Sequence, residues 1–268
     1  MAGIVGMMDS WLDRLGEFAR NAWHWIGFTL GVVLTLLLMM VTPSTWRRTV
    51  RREFMRQAYF TGAKALPVTL FVAIVVGLGM VSQALLWLRI AGQTEYIGPF
   101  LSMVLVREVA PLLVNLVVLG RSGMAIASEV GTLRASGQIR VLEAQGLDPL
   151  QVVVLPRAAA MALCVLCLCM VFIVTAILSG YTLGRATDMT TVGFEAVIER
   201  VLATLDPRDF LLLTLKTLLP GFLIGVLCSV HGLSAERSLT DVPRLLPIAF
   251  VWSTAVVFVL CGLISLFL

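Results

Sequence analysis

The stretch from residue 158 to residue 183, AAAMALCVLCLCMVFIVTAILSGYTL, decides the fold of this chain. It contains no Asp, Glu, Lys or Arg, and it exceeds the roughly 20 apolar residues that a helix needs to cross a bilayer. Four similar runs lie at about 65–88, 97–119, 210–231 and 245–268. A lipid-facing β-barrel would show short alternating segments instead. The runs predict an all-α polytopic membrane protein with five transmembrane helices.

The composition of the whole chain agrees with a lipid environment. Of its 268 residues, 59% are hydrophobic and 13% are charged, whereas a soluble domain carries about 25% charged residues. So few charges exclude a soluble enzyme, and so many apolar residues exclude a disordered chain. All five cysteines lie inside apolar runs and read as core residues, so no metal site is expected.

The N-terminal segment is predicted to lie on the membrane before it enters. Residues 11–18, WLDRLGEF, alternate apolar and charged side chains at helical spacing, and Trp23 and Trp25 favour the headgroup layer. The apolar run at 26–41 is at the lower limit for spanning. It either spans or dips in and returns as a re-entrant elbow, and its length favours the elbow. We assign residues 1–46 to these helices and residues 47–268 to one five-helix membrane domain.

Lys and Arg residues set the predicted orientation. The segments 47–64, 120–157 and 232–244 carry twelve Lys and Arg residues, against four in the alternate loops. Because cytoplasmic loops are enriched in Lys and Arg, these three segments are placed in the cytoplasm. The C-terminus then falls on the other side.

Two loops contain predicted short helices. In the outer loop, residues 194–202 have a helical pattern. In the cytoplasmic loop, a helix is predicted at about 132–146, with Leu133, Ile139 and Leu142 on one face and Gly146 at its end. Its polar side chains point elsewhere: Arg134, Gln138, Arg140 and Glu143. Such a helix is suited to docking another protein.

Three charged residues fall inside apolar runs. Arg107 and Glu108 lie in the run at 97–119, and Lys216 lies in the run at 210–231. Charges in hydrocarbon are costly unless they are paired or wetted, so they are candidates for a functional site. They could equally form a structural ion pair, with Lys216 as one possible partner of Glu108. Lys216 could also extend its side chain outward to the interface.

Other kinds of chemistry find little support. The sequence GRSG at 120–123 resembles the nucleophile motif of rhomboid-type proteases, with Ser122 as nucleophile and His231 as a nominal base. It reads more simply as a Gly/Ser turn that ends a span, so no catalytic residue is expected. The chain lacks a P-loop. Aromatic residues are not interleaved with basic ones in its soluble segments, so no nucleic-acid binding is expected.

An ordered set of motifs resembles the MlaE (YrbE) permease family, the membrane subunits of MCE-type ABC lipid transporters. The motifs are RQAY at 56–59, REVAP at 107–111, GRSGMAIASEVGTLR at 120–134, QI at 138–139, LDP at 147–149 and VLPR at 154–157. The resemblance implies five transmembrane helices preceded by an elbow helix. One departure is ASGQ at 135–138, where family members carry an acidic residue.

The resemblance also implies a set of partners. They are a second copy of the chain, a cytoplasmic ABC ATPase dimer, a periplasmic hexamer of MCE-domain proteins and, often, a small STAS-domain protein. The chain itself would need no cofactor, because the partner ATPase binds ATP and Mg²⁺. The family handles phospholipid, specifically glycerophospholipid, at the inner membrane of diderm bacteria.

Residue roles follow from the same resemblance. The lipid pathway would include Arg107, Glu108 and Lys216, since a lipid phosphate attracts Arg and Lys. Its apolar walls would include Leu70, Val76, Leu78 and Val81. Coupling to the ATPase would fall to Glu129, Arg134 and Gln138, and the outward polar side chains of the predicted helix add Arg140 and Glu143.

The expected function is that of a permease subunit without enzymatic activity of its own. It would move glycerophospholipid between the inner membrane and a periplasmic MCE protein and so maintain outer-membrane lipid asymmetry. Two alternatives are a proton-coupled secondary transporter that uses Glu108 and an intramembrane serine protease that uses Ser122.

Overall fold

The computed structural model describes residues 27, 29–42, 45–92, 96–187, 193–204, 206–235 and 242–267. In these ranges the regular structure is entirely helical, and five helices are long and apolar enough to cross a membrane. This confirms the predicted fold class. We number the helices α1 (Thr29–Val41), α2 (Arg48–Ile90), α3 (Leu101–Ala135), α4 (Gln138–Ala144), α5 (Leu150–Ala186), α6 (Phe194–Ala203), α7 (Pro207–Leu233) and α8 (Val242–Phe267).

The long helices alternate in direction, which gives the bundle two ends. One carries α4, between α3 and α5, and the other carries α6, between α5 and α7. We call them the α4 end, predicted to be cytoplasmic, and the α6 end. Several helices extend beyond their apolar runs: α2, for example, begins at Arg48 instead of near 65, since its first turns form an amphipathic helix with basic residues on the exposed side.

Helix α5 is the centre of the bundle, and small residues let α7 approach it closely. A Cβ atom placed on Gly225 would lie 2.6 Å from the Cα atom of Ala158, and one on Gly221 would lie 3.1 Å from the Cα atom of Ala162. The glycines are four residues apart and therefore share one face of α7. Such small-residue faces allow backbone-to-backbone packing where the hydrophobic effect between helices is weak.

Helix α1 packs on the same pair of helices. Leu36 is fully buried in a cluster that includes Leu155 of α5 and Val226 of α7. The described part of α1 is about 20 Å long at 1.5 Å per residue, and the choice between an elbow and a span stays a prediction. The predicted surface helix at 11–18, with Trp23 and Trp25, lies outside the described residues.

The segment predicted as one helix at about 132–146 is divided in the structure. Helix α3 continues to Ala135, and α4 begins at Gln138 after Gly137, whose φ of +79° is incompatible with a right-handed helix. The prediction of a continuous helix was therefore wrong. Gly146, with φ +73°, follows the end of α4 as predicted. The predicted helix of the outer loop is confirmed as α6.

We predict that Gly225→Ala destabilises the protein, because the added methyl group would meet the backbone of Ala158 at 2.6 Å. Overpacking of this kind costs about 1–3 kcal/mol, measurable as a lower midpoint of thermal unfolding in detergent. The matched control is Gly262→Ala in α8, where the added methyl group has no neighbour within 4 Å among the described residues. Equal effects of the two substitutions would contradict the proposed close contact.

Candidate functional site

At the α6 end, Lys216 is buried and paired. Its side chain is 2% exposed, and its Nζ atom lies 2.7 Å from Oε1 of Glu108. This confirms Lys216 as the partner of Glu108. The same Nζ atom donates a hydrogen bond to the backbone carbonyl of Arg107 at 2.8 Å. The alternative in which the lysine extends outward to the interface is wrong, because its ammonium group is turned into the bundle.

Two prolines explain why polar groups gather here. Pro111 has no N–H, so the carbonyl of Arg107, four residues earlier, loses its α-helical donor. The ammonium group of Lys216 donates to that carbonyl. In α7, Pro220 likewise leaves the carbonyl of Lys216 without a donor from residue 220, and Nδ2 of Asn115 donates to it at 3.1 Å. Each helix therefore supplies the hydrogen bond that proline removes from the other.

Two further contacts extend this group of residues. Ser265 of α8 donates its hydroxyl to the carboxylate of Glu108, at 3.0 Å from Oε1. Arg107 pairs with Asp209 at the start of α7: Nη2 donates to Oδ2 at 2.9 Å, and Nε lies 2.7 Å from Oδ1. Helices α3, α7 and α8 are thus joined by charged groups at the α6 end. We call Arg107, Glu108, Asp209, Lys216 and Ser265 the outer cluster.

Asp209 and Ser265 were not anticipated from the sequence. Asp209 follows Asp206 at the spacing of a helix cap, and it does accept a hydrogen bond from the backbone N–H of Asp206 at 3.0 Å. The capping pattern indicates where α7 begins and gives no sign of a partner 102 positions away. Ser265 is a lone serine near the end of an apolar run, and nothing in the sequence around it indicates a contact with Glu108.

A second group of charged residues lies at the α4 end. Arg157 of α5 is 3% exposed, and its Nη2 atom donates to Oε1 of Glu129 at 3.0 Å. Arg56 of α2 donates to the same oxygen at 2.8 Å. Glu53 lies 3.2 Å from Arg56 and 3.4 Å from Arg157, and Gln57 donates to it at 3.0 Å. We call these five residues the inner cluster, which joins α2, α3 and α5.

The inner cluster shows where Glu129 lies, while its coupling role stays a prediction. Glu129 lies on α3, where its carboxylate is held by arginines of two other helices, so it is not on the predicted coupling helix. The remaining coupling candidates do lie at the surface. Gln138, Arg140 and Glu143 are exposed on α4, and Arg134 at the end of α3 lies 3.9 Å from Glu143.

The four residues predicted as apolar walls of a lipid pathway differ in their surroundings. Leu78 is 37% exposed, and Leu70 and Val76 are half-buried. Val81 is 1% exposed and packs directly against Gly180 of α5. Its assignment to a lipid pathway was therefore wrong, because helix packing within the chain covers it completely. The role of the other three stays a prediction.

The GRSG segment is not the Gly/Ser turn that the sequence suggested, because the helix continues through it. Residues 119–123 form one wide turn inside α3, which continues to Ala135. Ser122 is 4% exposed and accepts a hydrogen bond from Arg121 at 3.3 Å. Nδ1 of His231 lies 2.8 Å from the carbonyl oxygen of Leu227 in its own helix. These contacts describe helix packing and give no support to a serine nucleophile with a histidine base.

We predict that Glu108→Gln and Lys216→Met each destabilise the protein and that their effects are not additive. The first leaves the buried ammonium group without its carboxylate, and the second removes the donor to the Arg107 carbonyl. Because Glu108 is 51% exposed and partly screened, we expect a coupling of about 1 kcal/mol in a double-mutant cycle of unfolding in detergent. Glu199→Gln on α6 is the control, and strict additivity would contradict the pairing.

Comparison with known proteins places this arrangement in a family. The model of a family described as Permease MlaE matches residues 54–267. A protein of Arabidopsis thaliana, Protein TRIGALACTOSYLDIACYLGLYCEROL 1, chloroplastic, is 25% identical over 94% of this chain and 70% of its own length. A probable ABC transporter permease protein of Rickettsia prowazekii is 26% identical over 76% of this chain and 78% of its own.

A third relative is the intermembrane phospholipid transport system permease protein MlaE of Haemophilus influenzae. It is 28% identical over 50% of this chain and 53% of its own length. The family match includes both charged clusters, apart from Glu53, together with α4 and all five long helices except the first turns of α2. This chain therefore belongs to the MlaE permease family and is a multi-pass membrane permease.

Proposed function

We propose that this chain is the membrane subunit of an ATP-driven transporter of glycerophospholipid. It would act as a pair of copies in the inner membrane of a diderm bacterium and exchange lipid with a periplasmic MCE-domain protein, so maintaining outer-membrane lipid asymmetry. A separate cytoplasmic ATPase dimer, in some systems with a STAS-domain protein, would bind ATP and Mg²⁺. Family membership supports a lipid transport permease, and two relatives are named for ABC or phospholipid transport.

The observation that carries the proposal is the position of α4. This helix lies between α3 and α5 with a left-handed glycine at each side, Gly137 and Gly146. Ile139 is 1% exposed and holds α4 against the bundle, while Arg140 and Glu143 are exposed. A short, fixed helix with outward charges is a docking element through which a partner's movement reaches α3 and α5.

Through the inner and outer clusters, a movement of α4 would be passed along α3 to the α6 end of the bundle. Glu129 links α3 to α2 and α5 near α4. Some twenty residues earlier on α3, Arg107 and Glu108 are linked to α7. Arg107 is 35% exposed, so a lipid phosphate could compete with Asp209 for its guanidinium group. A shift of α3 would therefore change how the outer cluster presents positive charge.

We predict that Glu143→Arg weakens binding of the ATPase while the fold is retained, because it reverses an exposed charge on α4. The measurement is co-purification of the ATPase with the tagged permease, with thermal unfolding as a check of the fold. Glu199→Arg on α6 is the matched control, since it makes the same change at the opposite end. Full retention of the ATPase by Glu143→Arg would contradict the role of α4.

A reconstituted assay tests the energy source. We expect that lipid transfer by the permease with its ATPase requires ATP and Mg²⁺ and continues without a proton gradient. The permease alone should show no ATPase activity. Transfer that follows an imposed proton gradient without ATP, and that is lost in Glu108→Gln, would overturn the proposal in favour of a secondary transporter.

A further inference from the structure

A cavity of about 410 Å³ lies between α2 and α3 near the α4 end. Its wall includes the basic side chains of Lys64 and Arg121 and the hydroxyl group of Ser122. Phe60 brings the two cations together. Nζ of Lys64 lies 3.8 Å from the centre of its ring, and Nη1 of Arg121 donates to its backbone carbonyl at 3.4 Å.

The charge of this cavity is not balanced by the residues around it. Arg56 and Glu129 also line it, but both belong to the inner cluster, whose two arginines and two glutamates cancel. Among the described residues, neither Lys64 nor Arg121 has a carboxylate within 4 Å. As far as the chain is described, the cavity therefore carries two positive charges that no carboxylate pairs with, at a site where an anion would gain favourable contacts from both.

The depth of the cavity matches the headgroup layer of a membrane. From Arg121 to Leu101 at the other end of α3, the helix rises about 30 Å, which is the thickness of the hydrocarbon core. Lys64 lies at a corresponding position on α2, just before its apolar run and close to Arg121 through Phe60. The anion that reaches this depth from a bilayer is the phosphate of a lipid headgroup.

An exposed apolar strip begins at the cavity and follows α2 into the membrane. Val68, Phe71 and Val75 come four, seven and eleven residues after Lys64, and so lie on one face of the helix with it. They are 42%, 68% and 52% exposed. A basic group followed by a strip of this kind fits a phosphate headgroup and the acyl chain attached to it.

We infer that the cavity between α2 and α3 binds the phosphate of an anionic phospholipid from the leaflet at the α4 end, with one acyl chain along Val68, Phe71 and Val75. The site is separate from the outer cluster at the opposite end of α3. Its occupancy requires neither an ATPase nor transport, so it stands or falls independently of the proposed function.

The test uses the full chain in nanodiscs of phosphatidylcholine that contain a minor fraction of fluorescent phosphatidylglycerol. Energy transfer from the protein's tryptophans reports bound phosphatidylglycerol. We expect Lys64→Gln with Arg121→Gln to weaken its preferential binding about tenfold or more, since each cation near an anionic surface contributes about 1 kcal/mol. The control is Arg51→Gln with Arg52→Gln, which removes two exposed charges from the first turns of α2 outside the cavity, and it should retain the binding.

Two further measurements complete the test. Single substitutions of Lys64 guard against a variant that fails to fold, and competition with inorganic phosphate distinguishes a lipid phosphate from a free one. Lys64→Gln alone changes an exposed side chain and should weaken binding, whereas Lys64→Arg should retain it. Inorganic phosphate should displace the lipid no better than chloride at equal ionic strength. Displacement by phosphate alone would show a site for free phosphate, and equal binding by the cavity variants and the control would show no site. Either result would overturn the inference.

Discussion

Every backbone carbonyl that proline leaves without a donor inside a membrane must find another one, and the α3–α7 contact is built around that requirement. Pro111 and Pro220 each remove one helical hydrogen bond, and no water in the hydrocarbon core can replace it. The ammonium group of Lys216 and the amide of Asn115 replace both bonds across the interface. This exchange fixes the register of the two helices and explains why a lysine can be buried there.

The same contact determines where the remaining charges can lie. Once Lys216 is directed at α3, its charge requires a carboxylate, and Glu108 is the next residue after the freed carbonyl. Asp209 then holds Arg107 from the first turn of α7. At the other end, α7 approaches α5 closely at Gly225. The inner cluster there holds α5 against α2 and α3. Charged contacts therefore join α3 to neighbouring helices at both of its ends, with α4 following where α3 finishes.

The sequence predicted those features that depend on neighbours along the chain. Long apolar runs specify five membrane helices, and the charges inside those runs identified Lys216 and Glu108 as possible partners. What failed depends on distant neighbours. Val81 resembles a lipid-facing valine until Gly180 packs on it, and the arginine partners of Glu129 come from two other helices, which no local pattern indicates. The break at Gly137 was missed for another reason, since glycine can also continue a helix at a modest cost.

The shared carboxylate of Glu129 has a consequence for how this protein can change over generations. Its Oε1 atom serves one guanidinium group from α2 and another from α5, and Glu53 contacts the same two arginines. Replacing Glu129 alone would leave the nearly inaccessible Arg157 with only the longer 3.4 Å contact to Glu53, which is unfavourable for a buried charge. A change at Arg157 is therefore accommodated best when a carboxylate partner changes with it, whereas the half-exposed Arg56 can be replaced alone at lower cost.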